Sequence, residues 1–96
     1  MLPTNPKLDD QRKKMLWRAT HRGMKEMDLM LGGYATQNLA TMTEQEIKEF
    51  AEILQVSDAS LHDWITDKNP TPKQYQTPLF AAIKRQSFAP KDYKKL

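Results

Sequence analysis

Thr43-Glu44-Gln45-Glu46, followed by Ile47, Phe50, Ala51 and Leu54, narrows the possible folds more than any other stretch. Thr followed three residues later by Glu is a capping box: hydroxyl and carboxylate each satisfy an N–H group that the start of a helix leaves free. The apolar residues behind it recur at i, i+3, i+4 and i+7, so they share one helix face. Nowhere does the chain show strand-like alternation or a hairpin signal. A chain of 96 residues has room for one modest core. The prediction is an all-α fold, a compact bundle of about five short helices in a single small domain.

The other helices follow from the same spacing. The first is expected from Pro6, capped by Asn5, to about Thr20, with Leu8, Met15, Leu16 and Ala19 apolar. Asp9 and Asp10 then sit at its positive end, and Arg12, Lys13, Lys14 and Arg18 on its outer face. The second is expected from Met24 to Leu39, with Met24, Met27, Met30, Leu31, Tyr34 and Ala35 forming its stripe. Gly32-Gly33 weakens that helix by roughly 1 kcal/mol per glycine and allows either a kink or close packing. Ser57 or Asp58 caps a fourth helix whose Leu61, Trp64 and Ile65 face inward, Trp64 as a core anchor. Residues 67–76 form a connector containing Pro70 and Pro72. Thr77-Pro78 opens a fifth helix that runs to Gln86. The domain is thus expected to span 6–86, between an N-terminal tail (1–5) and a basic C-terminal tail (87–96).

Composition excludes several kinds of chemistry. With no cysteine there is no disulfide and no thiolate metal site, and His21 and His62 lack metal-ligand spacing. There is no nucleophile elbow, and no Gly-rich phosphate loop behind a strand. Glu44, Glu46, Glu49 and Glu52 read as a solvated helix face, not a catalytic carboxylate pair. No apolar run approaches the roughly 20 residues of a membrane span, and the start of the chain has no signal-peptide layout. The expectation is a soluble cytoplasmic protein without membrane insertion. Charge is segregated: residues 7–26 are mainly basic, 44–67 mainly acidic and 68–96 mainly basic. Separate patches of opposite sign suit a protein partner. The alternative is a small basic nucleic-acid binder using Arg12, Lys13, Lys14, Arg18 and Arg22 on phosphates. No recognition helix rich in Arg, Asn or Gln supports it, so no nucleic acid is expected.

Function-capable groups concentrate between Trp17 and Tyr34. Arg18, His21, Arg22, Lys25, Glu26 and Asp28 cluster around a break at Arg22-Gly23. Gly23 either takes positive φ and ends the first helix, or leaves a bare surface for close approach. Glu26 either shares a helix face with Arg22 or lies in the first turn of the second helix, where free N–H groups favour an anion.

The string Arg22-Gly23-Met24-Lys25-Glu26-Met27-Asp28 matches an R-G-x-x-E signature with its following Asp. Trp17 stands five residues before the Arg, Leu29-Met30-Leu31-Gly32 follows the Asp, and Asp63-Trp64 comes later, after an acidic helix. Over roughly residues 8–70 the chain resembles the succinate dehydrogenase assembly factor 2 family, SdhE in bacteria. Lys25 falls at a variable position of that pattern, and the region from Pro70 is not diagnostic.

The resemblance implies an all-helical assembly factor, a chaperone and not an enzyme. Such a factor promotes covalent attachment of FAD to the flavoprotein subunit of succinate dehydrogenase, and in bacteria also to the related subunit of fumarate reductase. The bond joins a histidine of that subunit to the 8α-methyl carbon of the flavin. The factor holds no cofactor stably and acts on the FAD of its partner. Carried onto this chain, the partner-binding residues are Arg22, Gly23 and Glu26, flanked by His21, Met24, Lys25 and Asp28, with Trp17, Arg18 and Tyr34 at the rim, core packing being the alternative for Trp17 and Tyr34. A monomer in the bacterial cytoplasm is expected, because the mitochondrial members carry targeting segments that this chain lacks.

Overall fold

The computed structural model describes residues 9–87, and every regular element within them is helical. Five α-helices follow in order: α1 (Asp10–Thr20), α2 (Lys25–Asn38), α3 (Glu44–Leu54), α4 (Asp58–Ile65) and α5 (Pro78–Ser87). Single 3-10 turns at Leu39–Thr41 and Lys73–Tyr75 complete the path.

Most boundaries obey the capping chemistry in the sequence. Thr43 accepts from the Glu46 amide at 3.1 Å while Glu46 Oε1 accepts from the Thr43 amide at 2.9 Å, so the capping box forms. Ser57, not Asp58, caps α4 by accepting from the Ser60 amide. Thr77 Oγ1 accepts from the Phe80 amide at the head of α5. The expected start of α1 at Pro6 is corrected. Asp9 has extended backbone and its carboxylate accepts from the Arg12 amide at 2.9 Å, which starts the helix at Asp10. Asn5, Pro6 and Leu8 lie outside the described residues, as do the tail segments 1–5 and 88–96. Ser87, placed in the tail by sequence, is the buried last residue of α5, where its hydroxyl donates to the Ile83 carbonyl.

One apolar cluster joins all five helices. Met15 and Ala19 of α1, Met27 and Leu31 of α2, Phe50 of α3, Leu61 of α4 and Ile83 of α5 belong to it. Each large side chain buried this way contributes roughly 1.5–3 kcal/mol of transfer free energy. Trp64 is half-buried and not a fully enclosed anchor. Its ring stacks on Tyr75 at 5.2 Å and meets the edge of Phe80 at 6.3 Å. The bicyclic side chain spans the α4–α5 seam, where one edge still reaches solvent.

Gly32 explains how α1 and α2 pack. It is buried in mid-helix, and a Cβ there would lie 2.8 Å from Thr20 Cγ2 and 3.3 Å from the Ala19 carbonyl oxygen. Close packing, not a kink, is therefore its role. The neighbouring Gly33 has no such neighbour, its nearest atom being Gln86 Nε2 at 4.0 Å. The close crossing fixes the end of α1 against α2, and so sets the path of residues 21–24 between them.

Candidate functional site

The site begins at the last turn of α1. Thr20 Oγ1 donates back to the Leu16 carbonyl at 2.9 Å, as a helix-terminal threonine readily does. His21 Nδ1 lies 2.8 Å from the Trp17 carbonyl oxygen. A carbonyl only accepts, so Nδ1 is the donor in this contact. The bond lays the imidazole on the Trp17 indole, with ring centroids 4.2 Å apart and planes 11° from parallel. Trp17 is 61% exposed, so the pair is a flat aromatic plate on the surface.

Gly23 follows at φ 104°, a conformation that residues with a Cβ rarely adopt. The positive φ is thus realised, but it turns the chain after α1 has already ended at Thr20, and the residue is also exposed. Space is not the constraint, since a Cβ there would find Asp58 Oδ2 as its nearest neighbour at 4.0 Å. Met24 caps α2 through its backbone alone: its carbonyl accepts from the Met27 amide at 2.9 Å and the Asp28 amide at 3.0 Å. The Asp28 carboxylate turns back and accepts from the Arg22 amide.

Arg22 points inward. Its Nε donates to Asp58 Oδ1 at 2.7 Å, Nη1 to the Leu54 carbonyl at 2.7 Å, and Nη2 to the Val56 carbonyl. The two charged side chains are only 9% and 17% exposed. A guanidinium this far from water needs its charge matched and its donors engaged, and both conditions are met here. The carbonyls belong to the end of α3 and the link behind it, where helix carbonyls lack partners and the helix dipole favours a cation. Only a planar fork reaches three acceptors in this way, so lysine is no substitute.

The Arg22–Glu26 pairing suggested by spacing is not formed. Residues 22–24 lie outside any helix, so four-residue spacing does not place the two on one face, and Asp58 takes the guanidinium. Glu26 and Lys25 are exposed on the first turn of α2, and Met24 is half-buried against the core. Tyr34 stands apart from the group. It packs against the core near Glu46 and Arg85, and burial, with Glu46 reinforcing it, raises its phenol above the usual value of 10.0.

Four of the remaining residues, Trp17, Arg18, His21 and Arg22, line one side of an open depression of about 400 Å³, with Leu54, Gln55, Ser57 and Asp58 on the other. The structure therefore brings Trp17, Arg18, His21, Arg22 and Gly23 together, with Lys25 and Glu26 one step along the chain. Sequence reasoning missed the α3–α4 half. Ser57-Asp58 read as a cap, and nothing local marks Asp58 as the counter-ion of an arginine 36 residues away. Among the described residues no group of His, Asp and Glu is placed to hold a metal ion, and no helix is long and apolar enough to cross a membrane.

Among the described residues, fold and site define a small all-α module that presents an open, polar-lined surface. The chain belongs to the family described as "Flavinator of succinate dehydrogenase", which matches residues 13–87. It is 34% identical over 77 residues to the FAD assembly factor SdhE of Acetobacter pasteurianus, covering 80% of this chain and 71% of that one. It is 33% identical over 76 residues to the mitochondrial succinate dehydrogenase assembly factor 2 of Dictyostelium discoideum, covering 79% and 54%. Against the Danio rerio counterpart the identity is 34% over 79 residues, covering 80% and 50%. The chain thus spans about half the length of these mitochondrial relatives.

Proposed function

We propose that this chain promotes covalent attachment of FAD to the flavoprotein subunit of succinate dehydrogenase by docking on that subunit. Family membership supports the client, and the exposed surface beside the motif supports the route. The observation that carries the reading is the division of labour within the motif. Arg22 and Asp28 are spent on internal bonds, while Trp17, Arg18, His21, Gly23, Lys25 and Glu26 face outward on the platform those bonds hold.

In this reading the flavoprotein supplies the attacking histidine and the flavin, and this chain holds no FAD of its own. Bond formation needs the reacting atoms held close and oriented. A module that binds the competent arrangement of the subunit more tightly than its other arrangements raises the population of that arrangement. The Trp17–His21 plate supplies apolar contact area at low entropy cost, as anchor residues of interfaces do. Arg18, Lys25 and Glu26 supply charges that set register. The chain acts as a monomer in a bacterial cytoplasm, and the related subunit of fumarate reductase is a second client.

Nucleic acid fits the surface less well. Of the five cations assigned to phosphate in that alternative, Arg22 is neutralised by Asp58, and Arg12 Nη1 is engaged by the Leu39 carbonyl at 2.6 Å. The matched family and relatives are assembly factors.

Calorimetric titration of the purified flavoprotein subunit tests the docking step. Trp17→Ala and Glu26→Ala are each expected to weaken binding tenfold or more, and Lys13→Ala to leave it unchanged. Equal affinities for all four proteins would contradict the assigned surface.

A further inference from the structure

We propose that Asp58, which lies outside the motif on the first turn of α4, is a positioning residue for docking: it sets the conformation in which the His21–Met24 turn meets its partner. The inference rests on the docking reading above.

Three observations carry it. First, Asp58 supplies the only carboxylate on the Arg22 guanidinium among the described residues, at 2.7 Å and with both side chains largely shielded from water. Arg22 has two further donors on the Leu54 and Val56 carbonyls, so its position is over-determined while Asp58 is charged and in place. Second, the two oxygens of Asp58 do different things. Oδ1 takes Arg22 Nε, while Oδ2 sits 4.0 Å from where a Cβ of Gly23 would be. The carboxylate therefore lies beneath both residues of the Arg-Gly pair. Third, the turn has few other supports. Met24 has no side-chain cap, and Gly23 has no side chain to pack. Met24 is held by its carbonyl on the first amides of α2 and by packing on the core, so Arg22 itself is tied to the rest of the molecule by its side chain and by the Asp28 bond to its amide.

Removing Asp58 leaves a shielded guanidinium without its counter-charge. Water and rotation of the Arg22 side chain are then the available compensations, because an uncompensated buried charge is costly. Either one loosens the Arg22-Gly23 segment, which keeps the Asp28 bond to its backbone but loses the fixed position of its side chain. Contacts made by that turn depend on pre-organisation, so affinity falls even where the outward-facing residues are unchanged.

The test compares Asp58→Ala, Asp58→Glu and Thr43→Ala with the wild type. Thr43→Ala removes the α3 cap far from the turn and serves as a matched loss of stability. Two readouts are taken at a temperature where every protein is folded: the ¹⁵N–¹H resonances of Arg22 Nε and the Gly23 amide, and affinity for the flavoprotein subunit. Asp58→Ala is expected to shift both resonances and to weaken binding tenfold or more. Asp58→Glu is expected to recover most of the affinity, and Thr43→Ala to bind like wild type. Unmoved resonances, or resonances that move while affinity stays at the wild-type value, would overturn the proposal. Failure of the wild type to bind would overturn the docking reading instead, while the resonances still decide whether Asp58 sets the turn. Should Asp58→Ala not fold, Asp58→Asn, which keeps an oxygen for Arg22 Nε, is read by the same criteria.

Discussion

Arg22 and Asp58, 36 residues apart in sequence, meet at 2.7 Å in a place where neither side chain is more than 17% exposed. The pair joins the α1–α2 turn to the start of α4. The same guanidinium closes the end of α3 through the Leu54 and Val56 carbonyls. The arginine of the motif is thus a brace, and the surface it braces is what a partner meets.

Truncating that brace leaves a shielded carboxylate and two carbonyls without partners. Arg22→Ala is expected to lower stability by about 3–5 kcal/mol, the range for breaking a buried pair from one side. Arg22→Lys keeps the charge, but its single nitrogen cannot reach three acceptors spread around a guanidinium fork, and its loss should be smaller, about 1–3 kcal/mol. Urea denaturation measures both. A surface ion pair would cost at most about 1 kcal/mol on truncation, and such a value for Arg22→Ala would contradict the brace.

The adjacent glycines of α2 should respond in opposite directions. Gly33→Ala meets nothing closer than 4.0 Å and is expected to stabilise the helix by about 0.5–1 kcal/mol. Gly32→Ala gains the same propensity but drives a methyl to 2.8 Å from Thr20 Cγ2 and 3.3 Å from the Ala19 carbonyl oxygen. Overpacking typically costs about 1–3 kcal/mol, so a net loss is expected. Melting temperatures of the two variants give the signs directly.

Gly23 carries two effects that need separate variants. At φ 104° even alanine is strained, and Gly23→Ala is expected to lower stability by about 1–2 kcal/mol. Gly23→Arg adds a long cation to the docking face. Sequence alone predicts that it removes docking and leaves the fold intact, but the backbone angle adds a stability loss. Docking that fails for Gly23→Arg yet survives in Gly23→Ala isolates the surface effect, and equal affinities for the two would contradict a docking role at this position.

Most of the fold was legible because helix signals are local. The Thr43 capping box, the Ser57 and Thr77 caps and the apolar stripes of α2 and α3 each lie within a few residues. Other features were legible only as alternatives, among them whether Gly32 bends α2 or lets it approach α1, and whether Gly23 turns the chain or bares a surface. Packing decides the first, and at Gly23 the two uses coincide, since the residue has positive φ and is exposed. What could not be read was the partner of Arg22. Glu26 stood at the right spacing for a helix, but the turn breaks that spacing, and Asp58 arrives only through the fold of α3 onto α4. Tyr34 was open between a rim contact and core packing, and its place on the α2 stripe resolves to the core.

Tyr34 gives a pH signature. Its phenol is raised above 10.0 chiefly by burial, with the Glu46 charge adding to the effect and Arg85 opposing it. The folded chain therefore holds this proton more tightly than the unfolded one. From about pH 10 upward the unfolded state ionises first, and stability declines until the folded tyrosine has also ionised. Absorbance titration of wild type against Tyr34→Phe should show a late-ionising phenol in the wild type alone. Loss of a normally titrating phenol in the variant would contradict the burial assigned to this side chain.

The most direct measurement is covalent flavin on the client. The flavoprotein subunit of succinate dehydrogenase is expressed in cells lacking this protein, then with wild type, Trp17→Ala or Glu26→Ala restored, and the denatured subunit is scored for flavin fluorescence on a gel. The account predicts a fluorescent band with the wild type and a much weaker one with either variant, while both variants melt within a few degrees of the wild type. Equal fluorescence in every lane, including the lane without this protein, would contradict it.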